Sequence, residues 1–544
     1  MYRKEETLME KLYRLIKNGM DLSYYVATPE NYDKSKKYPL IVALHGAGTY
    51  GENPEVLLGN PEYTGYLKFK PQAILLMPHS RFEPWSTQCA NLKHVIDLVC
   101  ESYNVDTLRI SICGASMGGY GTWDMIMSYP DFFAAAAPIC GGGMRWRSDC
   151  VADMPIWVYH GDKDDVVLPE RSIEIYEHLK KVNPENSELH LTICENTGHN
   201  SWEKAYLEDN IYGWLISHSR KSFSVYAAGP VAGGGISRFK LKKGILTREE
   251  TYGDEGVMYM TIKNGKLFAL ANEPLGKREG GVFKYDIHQS RLVNRSAIFP
   301  TFGKATCHLA VDDDENIYIA NYLTGNIAKV NMQSGTTLCA YHRGESIYKP
   351  RQDKQHTHHI AITPDKRAFT VCDLGTDTIH VYDFNLCEIS RVSADLASGP
   401  RHIVFSDCGR YAYCVNELNN TVTSYEYSDC TLKKIQSFDM LPLDLNGETT
   451  AAAIRICGKY LYASTRGFDS ITRFEVNGGN LTYIDTTPSY GKSPRDFNIS
   501  PDGKNLICAN EGGNITLFNI MSDGSLEYTG TEYEVPGAMC VVFN

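Results

Sequence analysis

Two hydrophobic rhythms follow one another along this chain. Up to about residue 221, short apolar runs alternate with stretches whose apolar positions recur at helical spacing. YPLIVALHG (38–46), AILLMP (73–78), LRISIC (108–113), FAAAAPICG (133–141), PIWVYHG (155–161) and LHLTICE (189–195) read as strands; NLKHVIDLVCESY and RSIEIYEHLKKV read as helices. Strands alternating with helices predict a mainly parallel sheet covered on both faces. The first twenty residues, MYRKEETLMEKLYRLIKNGM, read as an amphipathic helix.

From Ser222 to Asn544 helical periodicity gives way to short alternating runs separated by Gly, Asn and Asp. One unit recurs: apolar strand, turn, second strand, polar gap. It is seen in HLAVDDDENIYIANY, HIAITPDKRAFTVCDL and DFNISPDGKNLICANE. Aligned on Met260, Leu309, Ile360, Ile403, Ile454, Phe497 and Cys540, the units repeat every ~43–51 residues. A period of that size in an all-β region predicts a seven-bladed propeller of four strands per blade. The seventh unit, MCVVFN, stops after its first strand, and FSVYAAG, GISRFKL and ILTREETY at the start of the region can complete it. The two ends would then pair and close the ring.

The length of 544 residues fits two domains, 1–221 and 222–544. At 43% apolar and 22% charged the composition is that of an ordinary water-soluble chain. The net charge of −11 comes without a Lys/Arg-rich stripe, which argues against nucleic acid and anionic membrane as partners. No export signal or long apolar span is legible, so a cytoplasmic location is expected. Sixteen cysteines without a C-x-x-C pair, many in apolar runs (Cys113, Cys140, Cys194, Cys372, Cys414, Cys508), read as buried reduced thiols.

Gly114-Ala115-Ser116-Met117-Gly118 is a G-x-S-x-G between a strand and a helical pattern. That setting holds a serine on a sharp turn with its hydroxyl exposed. The motif alone is also met as a plain glycine turn; what distinguishes it is its partners. A serine hydroxyl needs a base, and the base an orienting acid. HGDKDDVV and ENTGHNSW each follow a strand and supply Asp164 and His199 in the order Ser, Asp, His. Asp162 and Asp165 compete with Asp164, and His160 with His199; His160, at a strand end, reads as structural. Backbone donors to a developing oxyanion are expected from Met117 and from Ala47 in LIVALHGAG. Trp202 suits either a substrate pocket or the core, whereas Trp85 and Trp123 read as packing.

YPLIVALHGAG, GASMGGYGTWDM, YPDFFAAAAPICGGG, HGDKDDVV and GHNSW together resemble α/β-hydrolase esterases related to the prolyl oligopeptidase and dienelactone hydrolase groups, including feruloyl-esterase-like proteins. The resemblance covers about residues 20–218. It implies ester hydrolysis through an acyl-enzyme on Ser116, Asp164 and His199, without cofactor. A prolyl-oligopeptidase-like peptidase, its propeller gating access, is the alternative.

In the second region, polar residues gather near blade ends: His356, His358 and His359; Arg401, His402 and Glu417; Lys492, Arg495 and Asp496. Arg401 precedes one strand and Glu417 follows the next, so a hairpin should bring them together, in a setting suited to a carboxylate or phosphate ligand. The histidines are too irregularly spaced to predict a metal site, and VDDDEN (311–316) reads as a hairpin turn rather than a calcium loop. HTHHIAITPDKRAFTVCDL, GPRHIVFSDCGRYAYCVNEL and SPRDFNISPDGKNLICANE resemble the seven-bladed lactonases of the 6-phosphogluconolactonase and carboxymuconate cyclase group. That resemblance implies site residues His358, Arg401, Glu417 and Arg495, and lactone as well as ester among the small-molecule substrates. The chain departs from the family where P-H-P-H reads Gln355-His356-Thr357-His358, and in several of its P-D-G turns.

Overall fold

The computed structural model describes residues 10–17, 20–254, 256–272, 279–288, 290–441 and 448–544. The chain divides into two units, Met1–Lys221 with His288–Ser290, and Ser222–Ile287 with Arg291–Asn544.

The first unit is built on one eight-stranded sheet. Its strands are β1 (Glu10–Lys17), β2 (Met20–Ala27), β3 (Tyr38–Leu44), β4 (Ile74–His79), β5 (Val105–Ala115), β6 (Ala135–Ile139), β7 (Ile156–Gly161) and β8 (Leu189–Cys194), in the spatial order β1-β2-β4-β3-β5-β6-β7-β8. Pairing is parallel from β4 through β8 and antiparallel at β1–β2 and β2–β4, so the sheet is mixed. Helices α1 (Pro61–Phe69), α2 (Cys89–Ser102), α3 (Met117–Ser128), α4 (Glu170–Val182) and α5 (Ile211–Ser217) cover it. Side chains on β3 alternate between two cores: Leu40, Val42 and Leu44 pack with α2 and α3, while Ile41 and Ala43 pack with α1 and α5. Burial on both faces is why this strand reads as a continuous apolar run. Trp85 and Trp123 lie fully in the first core.

The amphipathic helix expected at the N-terminus is not found where the chain is described. Residues 10–17 form β1, paired with β2 from Glu10↔Ala27 to Lys17↔Met20; residues 1–9 and 18–19 lie outside the described residues. Leu12, Tyr13, Leu15 and Ile16 fit a helical period, but the sequence between Lys17 and Met20 is Asn-Gly, a strong short hairpin signal. Cross-strand contact decides in favour of the strand: the Tyr13 ring stacks on Tyr24, centroids 5.3 Å apart.

The second unit is seven antiparallel sheets. Blade 1 begins with inner strand Val257–Lys263, blade 2 with Thr306–Val311, blade 3 with Thr357–Ile362, blade 4 with Pro400–Phe405, blade 5 with Thr450–Cys457 and blade 6 with Pro494–Ile499. Blade 7 joins the two ends: Cys540–Phe543 pairs with Ser222–Gly229, followed by Gly235–Lys242 and Ile245–Tyr252. Closure removes the two edges that an open array would expose. Cores lie between neighbouring blades; Cys372, Ile379 and Val381 of blade 3, for example, pack on Ile403, Cys414 and Tyr425 of blade 4.

One backbone feature repeats. At the head of the inner strand the register skips a residue in five blades, past Met258, Cys307, His358, Arg401 and Arg495. A bulge re-aims the side chain it leaves unpaired. All sixteen cysteines are free thiols, and the six singled out above are buried. No helix among the described residues is long and apolar enough to cross a membrane.

Candidate active sites

In the first unit the end of β5 turns sharply into α3, and Ser116 at the turn has φ 56 and ψ −116, a conformation unfavourable for any side chain. The flanking glycines make the turn sterically feasible. A Cβ on Gly118 would stand 2.0 Å from the Leu44 carbonyl oxygen, and one on Gly114 would stand 2.5 Å from that of Gly118. The Ser116 N–H is anchored on the Ile139 carbonyl at 2.9 Å.

The loops after β7 and β8 bring Asp164 and His199 to this turn. His199 Nε2 lies 2.8 Å from Ser116 Oγ, and His199 Nδ1 lies 2.7 Å from Asp164 Oδ2. The other carboxylate oxygen of Asp164 accepts the N–H groups of Val166 and Val167, each at 2.9 Å. Burial pushes this carboxyl up, but the bonds from His199, Val167 and Val166 outweigh it and hold the group below its usual range. An ionised Asp164 fixes the tautomer with the proton on His199 Nδ1, leaving Nε2 free to take the serine proton. Of the competitors, Asp162 accepts the Thr197 N–H. His160, fully buried, touches Asp164 from behind at 3.2 Å and bonds Val167 O and Ser172 Oγ.

Met117 is the first residue of α3, so its N–H has no acceptor within the helix. The loop bearing Ala47 runs beside Ser116: a Cβ on Gly46 would lie 3.6 Å from Ser116 Cβ. Sequence reasoning did not assign the residue that holds this loop, His45. Its Nε2 accepts the Ser80 N–H at 3.0 Å, which places the ring proton on Nδ1, donating to Gly46 O at 2.8 Å. Burial pushes His45 down to about 4 and keeps it neutral in that role. The Trp202 ring meets His199 edge-on, centroids 5.4 Å apart, and is half-buried against the second core.

In the propeller, His358, Glu417 and Arg495 line a cavity of about 350 Å3 together with Arg351, Arg466 and Tyr322. Arg401 lies just beneath it, fully buried, in a recess that it shares with His358 and Arg495. The hairpin of blade 4 brings Arg401 Nε to 2.8 Å from Glu417 Oε2. Arg466 Nη2 lies 3.1 Å from the same oxygen, and Arg351 bonds the other. Burial would raise the Glu417 carboxyl, but Arg466, Arg401, His358 and Arg351 hold it far below its usual range. Burial, with Arg466 and Arg495 nearby, pushes Arg401 down to about 9. Arg351, Arg466 and Arg495 in the wall and Arg401 beneath it outnumber Glu417 and Glu511, the latter 3.9 Å from Arg495, and leave the cavity positive.

His358 is held neutral, its proton affinity lowered by burial and by Arg401, and its buried Nδ1 has no hydrogen-bond partner among the described residues. Beside it His308, His359 and His402 form a buried stack. Of the remaining polar residues, Lys492 is exposed, and Asp496 pairs with Arg455 at 2.8 Å. The departures from the P-H-P-H pattern leave His358 in phase. Thr357 Oγ1 donates to the Asn321 and Asn326 carbonyls of blade 2, and His356 Nδ1 bonds Tyr322 O. The altered P-D-G turns lie at the opposite end of the inner hairpins from the cavity. In VDDDEN, Asp312 accepts the Asp314 and Asn316 N–H groups within a tight turn between strands.

Cys307 and Met258 share the phase of His358, two residues before the aligned apolar position, and that phase would have found them. Arg466 ends the second strand of blade 5, one step from the place Glu417 holds in blade 4. Arg351 comes from the segment between blades 2 and 3, outside any repeat.

The family model described as "Lactonase, 7-bladed beta-propeller" matches residues 222–543. An uncharacterized protein of Staphylococcus epidermidis is 34% identical over 327 residues, 55% of this chain and 90% of that one. The 6-phosphogluconolactonase of Bacillus subtilis is 32% identical over 286 residues, 49% of this chain and 81% of that one. The crystal structure of a protein from Lactobacillus plantarum superposes with a TM-score of 0.56 at 27% identity, covering 60% of this chain and 99% of that chain.

Proposed function

The chain belongs, through residues 222–543, to the seven-bladed β-propeller lactonases, and from that premise we propose that it is a hydrolase with two separate centres, a serine esterase and a lactonase. Residues 1–221 are in this reading a catalytic domain of the α/β-hydrolase type, and residues 222–544 the propeller domain. The observation that carries the esterase is the unbroken line Ser116 Oγ, His199, Asp164, at 2.8 and 2.7 Å. Ser116 Oγ attacks the ester carbonyl as His199 Nε2 takes its proton. The Met117 and Ala47 N–H groups receive the oxyanion. Collapse expels the alcohol, protonated by His199, and leaves an acyl-serine that water hydrolyses by the same steps in reverse roles.

In the propeller, the surplus of guanidinium groups suits a lactone that carries a carboxylate or phosphate, and the name of the Bacillus subtilis relative points to a phosphorylated sugar lactone. Glu417, committed to three arginines, is a poor base. His358, neutral and lining the cavity, is the side chain placed to receive the proton of an attacking water. Rates on a short p-nitrophenyl ester and on a phosphorylated gluconolactone, for wild type, Ser116→Ala and His358→Ala, test the assignment. Ester hydrolysis should vanish only in Ser116→Ala and lactone opening fall only in His358→Ala. Loss of both activities in either variant would refute two separate centres.

A further inference from the structure

Three buried side chains of the propeller that neither centre uses converge on one point. His342 follows the outer strand of blade 2 (Thr336–Tyr341), Asp373 ends the second strand of blade 3 (Phe369–Asp373), and His380 lies in the third (Thr378–Tyr382). One donor atom from each lies within 4.8 Å of the other two. We propose that His342, Asp373 and His380 bind a divalent transition-metal ion, zinc in the first place, and that the ion anchors the segment carrying Arg351.

The hydrogen bonds around the cluster suit such an ion. His380 Nδ1 lies 3.1 Å from Glu388 Oε1, so the ring proton sits there; Nε2 keeps a lone pair and, although buried, has no hydrogen-bond partner among the described residues. A carboxylate behind a histidine is the usual support for a metal-binding imidazole. Asp373 Oδ1 accepts the N–H groups of His356 and Gly375, at 2.7 and 2.9 Å, while Oδ2 faces His342 Nε2. When the ion takes His342 Nε2, the ring proton moves to Nδ1, where Tyr382 Oη, 3.3 Å away, accepts it. Two imidazoles and one carboxylate favour a borderline ion over calcium or magnesium, which prefer all-oxygen sites. The other converging donors, Cys140, Asp164 and His199, belong to the esterase centre.

The position has a consequence for the cavity. Asp373 grips both ends of the segment 342–356, through the His342 ring and the His356 N–H. Within that segment Gln352 bonds Asp377 and Leu374, and Arg351 reaches Glu417. An ion at this clasp fixes the loop that supplies Arg351, one of the three guanidinium groups lining the cavity.

Metal content decides the matter. The full chain is stripped with chelator, reloaded with Zn2+, freed of excess by gel filtration and analysed by mass spectrometry. Wild type and His199→Ala should each retain about one equivalent, and His380→Gln almost none, with Co2+ loading giving a visible absorption band only where zinc is retained. Glu388→Gln, which keeps all three ligands, should bind zinc ~10–100-fold more weakly. Amide exchange across residues 343–356 should slow when zinc binds. Wild type retaining little zinc, retention unchanged in a folded His380→Gln, or unaltered affinity in Glu388→Gln would overturn the site. Unaltered amide exchange would overturn the anchoring role.

Discussion

Arg401 and Glu417 meet at 2.8 Å because the strands that carry them form one hairpin, and both side chains are almost completely buried. Among the described residues, Glu417 is the acidic group that pairs with Arg351, Arg401 and Arg466. Glu417→Ala leaves Arg401 buried and uncompensated and should cost about 3–5 kcal/mol in urea unfolding. Arg466→Met leaves Glu417 with two cationic partners and should cost less. Because Arg466 lines the cavity, the same change should raise KM for a phosphorylated lactone while leaving an uncharged lactone almost unaffected. Equal effects on the two lactones would remove Arg466 from the anion site.

The propeller should lose stability under mild acid. His308, His358, His359 and His402 are buried, and burial holds each well below its ordinary value. The folded state therefore resists protons that the unfolded chain takes up near pH 6.5. Their contribution is complete above that pH and is lost as pH falls toward the folded values, at up to about 1.4 kcal/mol per histidine per pH unit. Urea midpoints at pH 7.5 and 5.5 should differ markedly, and His402→Phe should reduce the difference. A flat profile would contradict neutral burial.

Ser116 sits at φ 56 at a structural cost. Ser116→Gly should be inactive toward esters yet more stable than wild type by about 1 kcal/mol, since glycine adopts this backbone freely. Gly118→Ala should fail to fold normally, because its Cβ would meet the Leu44 carbonyl at 2.0 Å. Thermal melts of the two variants check both claims.

Asp164→Asn should lower kcat for short esters ~10^4-fold with little change in KM, because an amide favours the wrong His199 tautomer. A small effect would show that the ionised carboxylate does not set the tautomer.

The strands of both units were legible because burial imposes a strong apolar rhythm, on both faces in β3 and at a repeating interval in the propeller. The N-terminal strand was misread because Leu12, Tyr13, Leu15 and Ile16 satisfy a helical period; only the Asn-Gly that follows them points to a hairpin. Local motifs and their order brought out Ser116, Asp164 and His199. His358, Arg401 and Arg495 share a repeat phase whose physical cause, a bulge at the head of the three inner strands that carry them, is not visible in sequence. Arg351, and the cluster of His342, Asp373 and His380, depend on how an irregular segment folds back between blades, and no spacing encodes that.

The most direct test of the central claim is labelling with a fluorophosphonate, followed by peptide mass spectrometry and assay of both activities. The two-centre reading predicts one adduct, on Ser116, complete loss of ester hydrolysis and undiminished lactone opening. An adduct elsewhere, or ester hydrolysis surviving full labelling of Ser116, would contradict it.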